Sequence, residues 1–177
     1  MRKDLPLNSY PFAMPVMIVA SYSPDDIPNA MVVTWGGIST KYLDKIVLNI
    51  DAFHRTAKNI RSRMAFTISV PDSEHWKAVD YLGSVSGDDI PDKLVKCCLH
   101  SVKSRYVDAP VITDFPVSIE CRVEDICIHD MMRITGRIIN VSGEEGRITD
   151  FLLYEHSSNS YMSSGHVLGH AEKFSRS

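Results

Sequence analysis

No apolar run in this chain approaches the roughly 20 residues that a membrane-spanning helix needs. Excess charge is nearly absent too. A formal net charge of −3 over 177 residues gives no long-range attraction for nucleic acid or an anionic membrane. Neither a GxGxxG loop nor a Walker sequence occurs, so the usual glycine-rich phosphate cradles are missing. No GxSxG elbow appears, and no cysteine has a recognisable His–Asn or His–Asp setting, which leaves nucleophilic catalysis unsupported. The four cysteines, Cys97, Cys98, Cys121 and Cys127, form no CxxC pair. Adjacent Cys97 and Cys98 are poorly placed to chelate one tetrahedral metal, and Cys121 and Cys127 lie in apolar stretches typical of reduced thiols. No disulfide or metal is expected. His166 and His170 would align only on a helix, which Gly165 and Gly169 argue against. The first eight residues hold no apolar core of a signal peptide, so the expectation is a soluble cytoplasmic protein.

What is present is an ordinary globular composition, 44% hydrophobic and 23% charged. It suits a single domain over residues 1–177 that buries its core without disulfides. Strand-like segments recur at Val16 to Tyr22, Ala30 to Trp35, Ile46 to Ile50, Ala65 to Val70, Val117 to Val123 and Met132 to Val141. The strict alternation from Val117 to Val123 marks a strand with one wet face, and Gly136 suggests a bend or bulge. Helical patterns are fewer: His54 to Arg63, Ser73 to Leu82 with an N-cap at Asp72 or Ser73, and Asp92 to Leu99 after Pro91. Trp76, Val79 and Leu82 share a face. The spacing favours an antiparallel barrel or sandwich with a few short helices.

One segment stands out. Pro28-Asn29-Ala30-Met31-Val32-Val33-Thr34-Trp35-Gly36-Gly37 reads as a turn, a β-branched run and a glycine pair, with no charged side chain from Asn29 to Thr40. Such a strand suits a flat aromatic ligand recognised by main-chain groups. Met31 and Trp35 could flank a ring, although such residues are more often plain core. A helix starting near His54 or Arg55 would present free N–H groups and the positive end of its dipole, with Arg55, Thr56 and Lys58 adding donors, as a phosphate site requires. The same residues also suit a solvated basic helix. Asp80 to Gly87 reads as a helix end with a glycine C-cap, or as a loop wrapping a ligand edge. Asp88 and Asp89 read as solvated loop residues. The stretch from Tyr161 to His170 is apolar enough to pack on something. Without acid–base or nucleophile pairs, any enzymatic reactivity would come from a bound cofactor.

These segments, in this order, resemble the flavin reductase-like family with the FMN-binding split barrel, in its flavoredoxin branch. The matching pieces are Pro28 to Met31 with Trp35 to Ile38, Thr56-x-x-Asn59-Ile60, Ala65 to Pro71, Asp80-Tyr81-x-Gly83-x-x-Ser86-Gly87, Val107 to Pro110, Phe115-Pro116, Glu120 to Arg122 and Tyr161 to Ala171. The likeness runs from Tyr10 to Phe174. It implies a mainly β Greek-key split barrel acting as a homodimer. Asn29, Ala30, Met31, Val32, Val33, Thr34 and Trp35 would line the flavin ring of FMN. His54, Arg55, Thr56, Lys58 and Asn59 would hold its phosphate. Tyr81, Ser86 and Gly87 would border it, and the tail from Tyr161 to Gly169 would close the site. The implied activity is an FMN-dependent oxidoreductase that passes electrons from a reductant such as NAD(P)H to a redox partner or small-molecule acceptor, with no catalytic side chain nominated. An electron carrier without NAD(P)H turnover and a flavin-free dimeric module are the alternatives. Two departures stand against the family pattern. Asp51 replaces a common Arg, leaving Arg55 and Lys58 to compensate. Met131 or Met132 replaces a His near the nicotinamide side, with His129 displaced.

Overall fold

In the computed structural model, residues 2–7, 9, 11–144, 146 and 150–165 are described. The sequence expectations for Tyr10 and for His166 to Phe174 lie outside them. The elements run β1 (Ala13–Pro15), β2 (Met17–Tyr22), β3 (Pro28–Val33), β4 (Gly36–Ile38), β5 (Lys45–Ile50), α1 (Arg55–Arg63) and β6 (Ala65–Val70). A 3₁₀ turn (Ser73–His75), α2 (Trp76–Ser84), α3 (Lys93–Lys96), β7 (Ser101–Lys103), β8 (Pro110–Ile112), β9 (Val117–Ile128), β10 (Met132–Gly143), β11 (Leu152–Glu155) and β12 (Ser160–Ser163) complete the order. Among the described residues no helix is long and apolar enough to cross a membrane.

Seven strands form one antiparallel sheet in the order β3-β2-β6-β9-β10-β5-β4. It curls into the mainly β Greek-key split barrel that the resemblance implied. Its two edge strands are consecutive in sequence. Thr34 and Trp35 carry the chain from one edge of the sheet to the other, and the N–H of Asn49 donates to the carbonyl of Trp35 at 2.8 Å. Inside lie Val19, Leu48, Phe66, Ile68, Met132 and Ile134, and α1 adds Ala57 and Ile60. Val16, Ile18, Ala20 and Ala30 face outward but are covered by Val79 and Leu82 of α2, with Ile112, Phe115 and Leu152. Burial on both faces explains why β2 reads as an unbroken apolar run rather than an alternation.

Several local expectations change. Pro28 opens a strand rather than a turn, because the β2–β3 ladder extends to Tyr22↔Pro28. The turn is earlier, where the N–H of Ser23 meets the carbonyl of Ile27 at 2.9 Å and Asp26 takes a positive φ of 59°. A proline is tolerated there because β3 is an edge strand. Strand β9 runs on to Ile128, since the hairpin closes only at His129, whose N–H reaches the carbonyl of Met131. Helix α3 stops at Lys96, short of the expected Leu99; Cys98, at φ 56°, turns the chain out of the helix. Trp76 is 45% exposed, because steps of three residues drift about 60° round a helix and carry it off the face centred on Val79 and Leu82. Gly83 sits inside α2 rather than capping it; the helix ends at extended Val85. A Cβ at Gly83 would lie 3.3 Å from Val32 Cγ2, so the glycine lets α2 approach β3 closely.

Gly136 does mark an irregularity, a register shift against β9 between Thr135 and Gly136. A Cβ there would meet Phe66 Cζ at 2.5 Å inside the barrel. Gly136→Ala is therefore expected to destabilise the fold by about 1–3 kcal/mol through overpacking, read as a lower urea midpoint at unchanged slope.

Candidate functional site

The start of α1, the free edge of β3 and the loop after α2 enclose a cavity of about 280 Å³. His54 precedes α1 in extended conformation, and no acidic residue occupies the first turn. The leading N–H groups of the helix have no partner within it and present positive potential. Thr56 is buried and its hydroxyl accepts from Asn29 Nδ2 at 2.7 Å, which ties β3 to α1. Asn29 Oδ1 is buried with no partner. Gly87 lies against it: a Cβ on Gly87 would be 2.1 Å from that oxygen, so only glycine lets the loop close there. Gly87→Ala is expected to displace Asn29 and weaken ligand binding at this end at least tenfold, a change of about 1.4 kcal/mol, read by fluorescence titration.

Charge around this cavity is organised. Asp88 accepts from Arg55 Nη1 at 3.3 Å and from Lys58 Nζ at 2.9 Å. Lys58, then Arg55, holds its carboxyl below the usual carboxylate range. Asp88 is thus an ion-pair partner rather than an idle surface acid. Lys93 lines the cavity although only 2% exposed. Its ammonium donates to the carbonyls of Leu82 at 3.3 Å and Val85 at 3.1 Å, and burial pushes its pKa down to about 8.

A second cavity of about 440 Å³ follows β3 toward its other end. Met31 to Trp35 form one wall; Asn49, Ile50, Asp51, His54 and Met131 line the rest. Met31, Val32 and His54 belong to both cavities, so the two make one trough. From Asn29 to Val33 it follows β3 for about 13 Å, and the crossover residues Thr34 and Trp35 continue its wall. Because β3 is the sheet edge, alternate N–H and C=O groups along it are free to meet a ligand. Trp35, 47% exposed, stands at the far end with His156 edge-on at 6.4 Å.

The structure brings Asn29, Met31, Val32, Val33, Thr34, Trp35, His54, Arg55, Thr56, Ser86 and Gly87 onto this trough. Ala30 instead faces the outer core, Asn59 is buried, and neither lines it. Lys58 and Tyr81 line neither cavity, and Lys58 pairs with Asp88. Leu82 to Val85 line the trough as part of the stretch offered as a ligand-wrapping loop, whereas Lys93, Asn49 and Ile50 carry no such signal in the sequence. Of the two candidate methionines, Met131 lines the trough and Met132 is buried in the barrel. Displaced His129 pairs with Cys127, Nε2 to Sγ 3.2 Å. Asp51 shapes the turn into α1, accepting from the N–H of Phe53 at 2.9 Å. Arg63, at the far end of α1, pairs with Asp26 and Asp108.

These residues fit a long flat ligand with an anionic end. The unpaired helix start and the cations Arg55 and Lys93 mark the anionic end; the uncharged strand edge suits the flat one. Residues 9–162 match the family model described as flavin reductase like domain. No curated protein matches the chain. Among solved structures, flavoredoxin of Desulfovibrio vulgaris (Miyazaki F) is 27% identical, with 99% of this chain and 100% of that one covered at a TM-score of 0.92. Flavoredoxin from Methanosarcina acetivorans, at 23% identity with 99% and 98% covered and a TM-score of 0.88, shares the fold. So does 2-nitrobenzoate 2-nitroreductase of Pseudomonas fluorescens, at 20% identity, 94% and 88% covered, TM-score 0.78.

Proposed function

The chain belongs to the flavin reductase-like domain family, and on that premise we propose that it binds FMN along β3 and works as an oxidoreductase of the flavin reductase or flavoredoxin type. The observation that carries this reading is the single trough that joins the α1 start to the edge of β3. Thr56, Arg55 and the first N–H groups of α1 would hold the phosphate, with Lys93 adding charge from beneath. The edge of β3 from Met31 to Val33, with the crossover at Thr34 and Trp35, would hold the ring through peptide groups, and Met31 and Trp35 would flank it. FMN, when bound, supplies the electron-transfer chemistry. The chain orients the ring, neutralises the phosphate and excludes water from the strand side. We propose that the working form is a homodimer and that a reductant such as NAD(P)H delivers electrons for a redox partner or small-molecule acceptor.

The first test is the visible spectrum of the purified protein, with any released cofactor identified by mass. A yellow protein releasing FMN is the expected result. A colourless protein that stays colourless with added FMN overturns the reading. A second reading, an electron carrier that does not turn over NAD(P)H, is favoured by Met131, an apolar side chain where the family pattern has histidine. Stopped-flow mixing with NADH and NADPH separates the two: fast bleaching of the flavin absorption supports the reductase, and a persistent flavin band supports the carrier.

A further inference from the structure

Resting on the FMN reading, we infer that Asp88 is an internal counter-ion that competes with the flavin phosphate for Arg55 and Lys58. It thereby lowers the preference for FMN over riboflavin and makes the flavin easier to release. Arg55 and Lys58 are the cations on the opening turn of α1, the helix end that closes the anionic half of the trough. Both are already taken by one carboxylate, at 3.3 and 2.9 Å. The loop that carries it is anchored: the N–H of Asp88 donates to Ser86 Oγ at 3.1 Å, and the N–H of Ile90 donates to the carbonyl of Ser86 at 2.9 Å. Immediately before it, Gly87 is pinned against Asn29, where a Cβ would lie 2.1 Å from the buried side-chain oxygen.

A phosphate reaching the α1 start must draw the same two cations toward itself while lying near a fixed negative charge. Like charges separated by a few ångströms at a partly exposed site oppose each other appreciably even at high effective dielectric. The carboxylate also spares the free protein from gathering mobile counter-ions at the two cations. Phosphate binding then exchanges one internal partner for another, and so depends less on salt than binding to two bare cations would.

The test is fluorescence titration of FMN and of riboflavin with the wild-type protein and with Asp88→Asn, at low and high ionic strength, with Asp88→Ser as a second variant. Asp88→Asn is expected to bind FMN about 5–10-fold tighter, to leave riboflavin affinity within about twofold, and to show the steeper loss of FMN affinity with salt. An unchanged or weaker FMN affinity in both variants overturns the inference, as would an equal shift for both flavins. An Asp88→Asn protein that, like the wild type, binds FMN no better than riboflavin overturns the phosphate placement itself.

Discussion

Replacing Thr56 and Lys58 together by alanine is expected to weaken FMN binding by about 2–4 kcal/mol, through lost charge-assisted hydrogen bonds. The two residues act differently. Thr56 is buried at the helix start and bound to Asn29 Nδ2, so its loss leaves Asn29 with both ends of its amide unpartnered. Lys58 lies one turn on, paired with Asp88, and its loss removes one of two cations. The single Thr56→Ala change should therefore also lower the stability of the free protein, by about 1–3 kcal/mol. Lys58→Ala should leave that stability nearly unchanged, as exposed ion pairs contribute little. Unchanged FMN affinity in the double variant, by fluorescence titration, would move the phosphate elsewhere.

Raising the pH from about 8 to about 10.5 is expected to stabilise the fold through Lys93. Its folded pKa is lowered to about 8 from an ordinary 10.5 by burial. Between these values the unfolded chain holds the proton and the folded chain has released it, so stability at this group rises with pH. Below about 8 both states are protonated, above 10.5 neither is, and the contribution is flat. The rise amounts to about 3 kcal/mol. Cys121, which burial pushes up to about 12, works in the opposite sense over part of the range. The reading is therefore the difference between wild type and Lys93→Met in urea titrations across this interval. Identical pH profiles for the two proteins would show that Lys93 keeps its charge when folded. On the FMN reading, affinity also falls as Lys93 loses its proton above about pH 8.

The parts of the fold legible in the sequence are those where local pattern and tertiary demand agree. Strands β2, β5 and β6 and helix α1 lie where runs such as Ala65 to Val70 and the opening His54-Arg55-Thr56 place them. The ring-facing segment was legible because a long uncharged run ending in two glycines has few other uses. The three- and four-residue strands β1, β4, β7, β8, β11 and β12 were not. Their strand character comes from partners distant in sequence, such as Ala13↔Glu155, and leaves no local periodicity. Lys93 looked like any solvated lysine, because its burial depends on carbonyls at Leu82 and Val85 that only the assembled loop supplies. Asp88 was opaque for the same reason: its cations lie 33 and 30 residues away. The choice between Met131 and Met132 rested on strand parity, which pairs Met132 with Ile128 and Ile50 and turns it inward.

The trough takes its walls from stretches near residues 29, 54, 86, 93 and 131, and no one of these can recognise a ligand by itself. An occupant would have affinity for the assembled chain and almost none for a partly unwound one. By mass action it would raise the melting temperature as its free concentration climbs, adding about 2.7 kcal/mol at a hundredfold excess over Kd. Colour and cooperative structure should then vanish in a single thermal transition, which would make the pigment a built-in gauge of global folding.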